Sequence, residues 1–258
     1  MTDKSRLDNL LVQRGIAASR EKARAAILAG AVLVEGKPAI KAGLLVSDDA
    51  AIEVATGPRY ASRGGDKLAH ALTAFALDVR GKTALDAGAS TGGFTDCLLQ
   101  NGVARVYAVD VGYGLLDYRL RQDPRVEVRE RVNIRYLESL PEVVDIAVID
   151  VSFISLEKVV PTVMRLLKGG GDIVALVKPQ FEARRDEVGK KGVVRDPQVH
   201  AAVLGRVIAW GAEQGLRLRG LTASPLLGPA GNREFFLRWR LNCSEKSERG
   251  YRGVTPQI

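Results

Sequence analysis

Residues 85–96 read LDAGASTGGFTD: an apolar strand, KTALDAG, ends on an acid and runs into a loop of small residues with a helix behind it. A glycine loop in that position passes close to a bound group, and its spacing narrows what the group is. A phosphate loop of the form G-x-x-x-x-G-K-[ST] is excluded, because no lysine follows Gly92 or Gly93. A dinucleotide fold asks for G-x-G-x-x-G, whose second glycine admits a pyrophosphate. Here Gly88 is followed by Ala89, Ser90, Thr91, Gly92 and Gly93, so the pattern fails at that second glycine. A nucleoside carrying an amino-acid tail and no phosphate fits better. Asp86 ends the strand, where it can take an ammonium group or an ordered water. Asp110 ends the next strand, VYAVDVG, at roughly the twenty-residue offset where a ribose diol is held. S-adenosylmethionine has both parts; a loop that is merely a tight turn leaves both acids unexplained.

In an open sheet of parallel strands, ligands bind beyond the carboxyl ends, so other charged strand ends matter. Asp150 ends VDIAVID, and Lys178 ends DIVALVK, where Pro179 stops the strand. Glu234 begins EFFLRWR, and if that strand runs antiparallel its start lies on the same rim. Lys67, on the stretch GGDKLAHALTAF, precedes the first strand, and only the fold can bring it to the others. Singly, each reads equally well as a solvated strand end or a turn cap.

The elements that must position these residues alternate along the second part of the chain. Strands are expected at KTALDAG, RVYAVDV, VEVRE, VDIAVIDVSF, GDIVALVKPQF, LRLRGLTASP and EFFLRWRL. Helices are expected between most of them, at GFTDCLLQNG, at LEKVVPTVMRLLKGG and after Asp196, an N-cap with Pro197 at the first helical position. Strict alternation predicts an α/β fold with a mostly parallel, doubly wound, Rossmann-like sheet. The short LLGPAGNR connection makes the last two strands an antiparallel pair at or inside one edge. The first part reads differently, as a small α+β module. RLDNLLVQRG and SREKARAAILAG form two helices, with Ser19 as N-cap and Gly30 as stop. Short β-branched runs, AVLVEG and GLLV, follow. TGPRYASRGGDKL has linker composition. The predicted organisation is a module over 1–58, a linker over 59–66, a second domain over 67–242 and a flexible tail over 243–258.

A net charge of +8 and a pI near 9.6 lean toward a polyanionic partner. Arg20 and Arg24 share a helix face, where like charges repel, and the first helix should bring Lys4 and Arg6 alongside: a phosphate-binding face or a solvated one. The longest apolar runs are far short of a membrane span. The N-terminus has neither a signal-peptide core nor transit-peptide character, so a cytoplasmic location is expected. Two cysteines, Cys97 and Cys243, make no disulfide framework or metal spacing. His70 and His200 have no catalytic partner nearby in sequence.

Residues 1–58 resemble the S4 RNA-binding domain. The matching words are Arg6-Leu7-Asp8, Ser19-Arg20 with Ala23, GAVLVEG and Lys41. The resemblance implies that Arg6, Arg20 and Lys41 contact RNA, with Lys4 and Arg24 beside them, although the acidic SDDAAIEV leaves the module polarised. The second domain resembles the FtsJ-like ribose 2′-O-methyltransferases and their Lys-Asp-Lys-Glu tetrad. SRGGDKL surrounds Lys67, VIDVSFISL Asp150, LVKPQFE Lys178 and GNREFFL Glu234. An S4 domain fused to that catalytic domain is the architecture of the TlyA family. Its members methylate cytidine 2′-hydroxyls in ribosomal RNA (16S, 23S or both) and often carry the label haemolysin.

On that resemblance S-adenosyl-L-methionine is the cofactor and no metal is required, because the sulfonium already carries the charge that drives transfer. Gly88, Ser90, Thr91, Gly92, Gly93 and Phe94 would line it. Asp86, Asp110, Val111 and Asp150 would hold its polar parts, and Asn133 would lie near the adenine. Lys178 is the expected base, its pKa lowered by desolvation and by the neighbouring Lys67 cation. Asp150 would orient Lys178, and Glu234 would hold Lys67 or the target ribose. Arg63, Arg131 and Arg135 are further expected RNA contacts, and EARRDEVGKKGVVRDP a mobile lid touching phosphate. The partner is ribosomal RNA or a ribosomal subunit, and the chain a monomer or small homo-oligomer. Two rivals remain open: a non-catalytic ribosomal-RNA-binding protein on a degenerate methyltransferase fold, and a pore-forming haemolysin. A base methyltransferase would ordinarily need a cysteine nucleophile or a proline pair after Asp150, where this chain has VSF.

Overall fold

A computed structural model describes residues 4–28, 30–54, 59–189 and 192–242. The expected flexible tail, 243–258, and Cys243 lie outside them. The chain divides into two compact units, Met1–Arg59 and Tyr60–Ile258.

The first unit holds β1 (Lys4–Arg6), α1 (Leu7–Gln13), α2 (Arg20–Leu28), β2 (Val32–Val34), β3 (Lys37–Pro38), β4 (Leu45–Ser47) and β5 (Ile52–Val54). Leu7, Leu10 and Leu11 form the apolar stripe of α1 and pack on Ala23 and Ile27 of α2, with Val32 and Val46 closing the core. Ser19 Oγ accepts from Lys22 N at 3.2 Å, capping the start of α2. One expectation needs correction. Lys4 and Arg6 sit on a strand and not on the first helix, because their backbone pairs antiparallel with β4, Arg6 opposite Leu45.

The second unit begins with α3 (Arg63–Ala74) and alternates thereafter: β6 (Thr83–Ala87), α4 (Gly93–Gln100), β7 (Arg105–Val109), α5 (Tyr118–Arg121), β8 (Val126–Arg129), β9 (Val144–Ile149), α6 (Val160–Leu166), β10 (Leu167–Val177), α7 (Pro179–Glu182), α8 (Pro197–Glu213), β11 (Leu216–Ala223) and β12 (Phe235–Leu241). The seven strands lie in the order β11-β12-β10-β9-β6-β7-β8, and β12 alone runs against its neighbours. Successive strand residues point to opposite faces. Leu85, Tyr107, Ala147 and Ile173 therefore meet Val163, Val203 and Trp239 on one side. Ala84, Val106, Val148 and Val174 meet Leu68, Leu98 and Phe236 on the other. From β6 the chain builds outward to β7 and β8, then returns to place β9 on the opposite flank, so a crevice opens above β6 and β9.

The stretch of linker composition, 59–66, is not linker throughout. Ser62 accepts from Gly64 N at 3.3 Å and starts α3 at Arg63, while Tyr60 is buried in the second unit. Of the two glycines that suggest a loop, Gly65 lies against the Tyr60 ring, where a Cβ would come within 2.2 Å.

Candidate active site

The loop after β6 is shaped by its backbone. Gly88 has φ +91, and a Cβ there would meet the Asp150 carbonyl oxygen at 2.5 Å, so the loop can press against the turn after β9 only as glycine. Asp110, just past β7, accepts from Ser90 N at 2.8 Å and from Gly112 N at 2.7 Å. It thereby fixes Ser90 in a left-handed conformation, φ 49.

Two hollows meet at this loop. The larger, about 1160 Å³, is bounded by Gly88, Ser90, Asp110, Val111, Asn133 and Asp150, with Arg135, Lys158 and Arg185 on its border. The smaller, about 210 Å³, is bounded by Arg63, Lys67, Thr91, Gly93, Phe94 and Asp150. Gly88, Ser90 and Asp150 belong to both. Apolar Val111, Leu115, Val132 and Ile134 beside an acid at the end of β7 suit a nucleoside. The narrow arm past the glycine loop suits an aliphatic tail. Asn133 accepts from Arg135 N at 3.1 Å and caps the short turn Ile134–Tyr136.

Charged residues from four elements gather beside the hollows. Lys67 of α3 is 2.6 Å from Glu234, which precedes β12 and is 1% exposed. Lys178, after β10, is 2.6 Å from Asp150, after β9, and donates to Ser152 Oγ at 2.9 Å. The antiparallel course of β12 explains Glu234: Phe235 stands opposite Val177, so the start of β12 lies level with the end of β10.

Asp86 is placed elsewhere. It bounds neither hollow and is fully buried beneath the loop, accepting from Thr95 Oγ1 at 2.7 Å while its other oxygen has no hydrogen-bond partner among the described residues. Burial pushes its carboxyl up to about 7, the Asp150 and Asp110 charges add to this, and the Thr95 bond opposes it. Gly92 also stays out of both hollows; at φ +92 it packs against Leu116 and Leu120.

Arg63 and Arg135 border the hollows, whereas Arg131 does not and lies over the Tyr113 ring at 4.1 Å. In the first unit, Lys4, Arg24 and Lys41 are exposed. Arg6 and Arg20 share one buried carboxylate: Asp8 accepts from Arg6 Nε and Nη2 at 3.0 and 2.9 Å and from Arg20 Nε at 3.0 Å. The Arg6 bonds hold the Asp8 carboxyl far below the usual carboxylate range. The stretch expected as a lid is tethered at several points. Glu187 pairs with Arg206 at 2.7 Å, and buried Asn232 accepts from Val194 N at 2.9 Å and donates to Gly192 O at 3.0 Å. Ser152 and Thr95 escape a reading of the sequence, since single hydroxyls two residues after Asp150 and nine after Asp86 carry no pattern of their own.

The FtsJ-like methyltransferase model matches residues 60–241, and the S4 domain model matches residues 5–52. The 16S/23S rRNA (cytidine-2′-O)-methyltransferase TlyA of Mycobacterium tuberculosis is 49% identical over 92% of this chain and 90% of its own length. The chain belongs to the TlyA family of FtsJ-like methyltransferases. Within that family, YqxC of Bacillus subtilis, named as an rRNA methyltransferase, is 52% identical over 91% of this chain and 85% of its own. A solved structure from Streptococcus thermophilus, titled a hemolysin, superposes with TM-score 0.72 at 42% identity, covering 94% of this chain and 90% of that one. No helix among the described residues is long and apolar enough to cross a membrane.

Proposed function

We propose that this TlyA-family chain transfers a methyl group from S-adenosylmethionine to the 2′-hydroxyl of cytidine in ribosomal RNA of one or both subunits. The observation that carries the reading is the convergence of Lys178–Asp150 and Lys67–Glu234, each pair at 2.6 Å, beside the glycine loop. When bound, S-adenosylmethionine supplies an electrophilic methyl carbon on a sulfonium. Asp110 would hold its ribose diol, Asn133 would lie by the adenine, and the loop from Gly88 to Phe94 would pass along its tail.

A ribose hydroxyl is a poor nucleophile and must lose its proton as its oxygen attacks. Lys178 takes that proton. Asp150 fixes the lysine head, and Lys67, secured by Glu234, stands beside the reaction as a second cation. The exposed cations of the first unit, Arg6 and Arg20 foremost, bind RNA phosphate, and Arg63 and Arg135 do so at the mouth of the site.

The test is to incubate the protein with isolated ribosomal subunits and methyl-labelled S-adenosylmethionine, then digest the RNA to nucleosides. Label on cytidine ribose is the expected result. Label on a base would keep the cofactor and overturn the tetrad chemistry. No label on either subunit would overturn the ribosomal substrate, and with an intact cofactor titration would favour a binding role.

A further inference from the structure

The turn after Asp150 is fastened to the segment after Lys178 at three places. Ser152 Oγ accepts from Lys178 Nζ at 2.9 Å, the rings of Phe153 and Phe181 meet at 5.0 Å, and Glu182 accepts from Leu156 N at 2.8 Å. Glu182 lies deep enough that burial pushes its carboxyl upward. Phe153 adopts φ +63, a backbone conformation that a bulky L residue rarely takes, and it is at this reversal that Ser152 meets Lys178. Strained turns of this kind persist where the surroundings over-determine them, and they cluster at functional sites.

A lysine head has three positions for hydrogens or a lone pair. Protonated, it donates from all three; neutral, it keeps two N–H groups and one lone pair. Here the Ser152 hydroxyl accepts a hydrogen bond at 2.9 Å, while the Asp150 carboxylate lies at ion-pair distance, 2.6 Å, without the alignment of a hydrogen bond. In the neutral amine the directed bond to Ser152 limits where the lone pair can point. With Asp150 alone the head can rotate about that single contact and the lone pair is not aimed. A hydroxyl suits this role better than a second carboxylate, because a second negative charge beside the lysine would favour the protonated form.

We propose that Ser152 is a positioning residue for the proton transfer, acting through Lys178 by fixing the direction of its lone pair. The proposal rests on the reading of Lys178 as the base. Ser152 lies at the edge of the larger hollow and is exposed, so neither Ser152→Ala nor Ser152→Thr removes core packing.

Steady-state methylation of isolated subunits should be measured for wild type, Ser152→Ala, Ser152→Thr and Lys178→Ala, with thermal unfolding recorded for each. Losing one hydrogen bond to a charged group predicts a fall in kcat of about 10- to 100-fold for Ser152→Ala. KM for both substrates should stay within about twofold, since the interaction is used in the transition state. Ser152→Thr, which keeps the hydroxyl, should recover most of the rate. A wild-type kcat in Ser152→Ala together with an inactive Lys178→Ala would overturn the positioning role and leave the base intact. An active Lys178→Ala would overturn the base assignment itself. A raised KM at unchanged kcat, or a threonine variant as slow as the alanine one, would also overturn the proposal: the first makes Ser152 a binding contact, the second makes its size the relevant property.

Discussion

Replacing Asp86 by asparagine removes a carboxyl group that the fold holds away from water, where Thr95 donates to it. Its pKa moves from 3.8 to about 7 on folding. A rise of roughly three units corresponds to on the order of 4 kcal/mol against the folded state once the group is ionised. The sign follows from proton uptake. Between the unfolded and folded values the folded chain binds the extra proton, so stability from this group falls as pH rises through the window from about 4 to 7, and the full penalty remains above it. Near pH 5 the penalty is roughly 1.7 kcal/mol, and near pH 8 it is almost complete. The substituted asparagine carries no such penalty but places an amide where one oxygen has no partner, a cost independent of pH. The subtraction of variant from wild type therefore isolates the ionisation: Asp86→Asn should gain about 2.5 kcal/mol relative to wild type between pH 5 and pH 8. Urea unfolding followed by tryptophan fluorescence is the assay, because both tryptophans, Trp210 and Trp239, lie in the second unit. A stability difference that stays constant between the two pH values would refute the argument and show that the carboxyl is solvated or paired.

Lys178→Ala should abolish methyl transfer while binding of S-adenosylmethionine, followed by calorimetry, stays close to wild type. Gly88→Ala combines a left-handed φ with a Cβ at 2.5 Å from the Asp150 carbonyl; it should destabilise the second unit by about 2 kcal/mol or more and weaken cofactor binding, both measurable by thermal shift. Arg20→Gln should make the dependence of RNA affinity on salt shallower by about one contact, read as the slope of log affinity against log salt. Asp8→Asn should weaken RNA binding, measured by the same titration, while leaving both arginines present, since it removes the negative charge and turns one of the two accepting oxygens that align them into a donor.

The alternation of elements was legible because the central parallel strands β6, β7, β9 and β10 are largely apolar runs followed by a charged or small residue, and two-faced burial leaves that signature in sequence. The same property exposed Asp150 and Lys178, which end such runs. Pairing was less accessible. Nothing local ties Lys67 to Glu234 across 167 residues; the motif words suggested that they meet, and the register of β12 against β10 supplies the reason. Depth was invisible as well. Asp86 and Asp110 both read as strand-end acids, yet Asp86 stands within β6 opposite Ala108 and is sealed beneath the loop, whereas Asp110 lies past the end of β7 and opens on the larger hollow. The start of α3 was obscured because Gly65 answers to the Tyr60 ring and not to a need for flexibility.

The reversed strand β12 sets an order on the assembly of the molecule. It does not extend an edge of the sheet but enters between β10 and β11, two strands made before it. Until it arrives, β10 lacks its neighbour on that side, and the ammonium group of Lys67 has no carboxylate in the place where it will be buried. Insertion of β12 supplies both at once, since Glu234 is the residue that leads it in. Completion of the sheet and pairing of Lys67 thus depend on the same stretch of chain. A polypeptide interrupted before Glu234 would carry the glycine loop and three of the four rim charges, yet lack the strand that makes them a site.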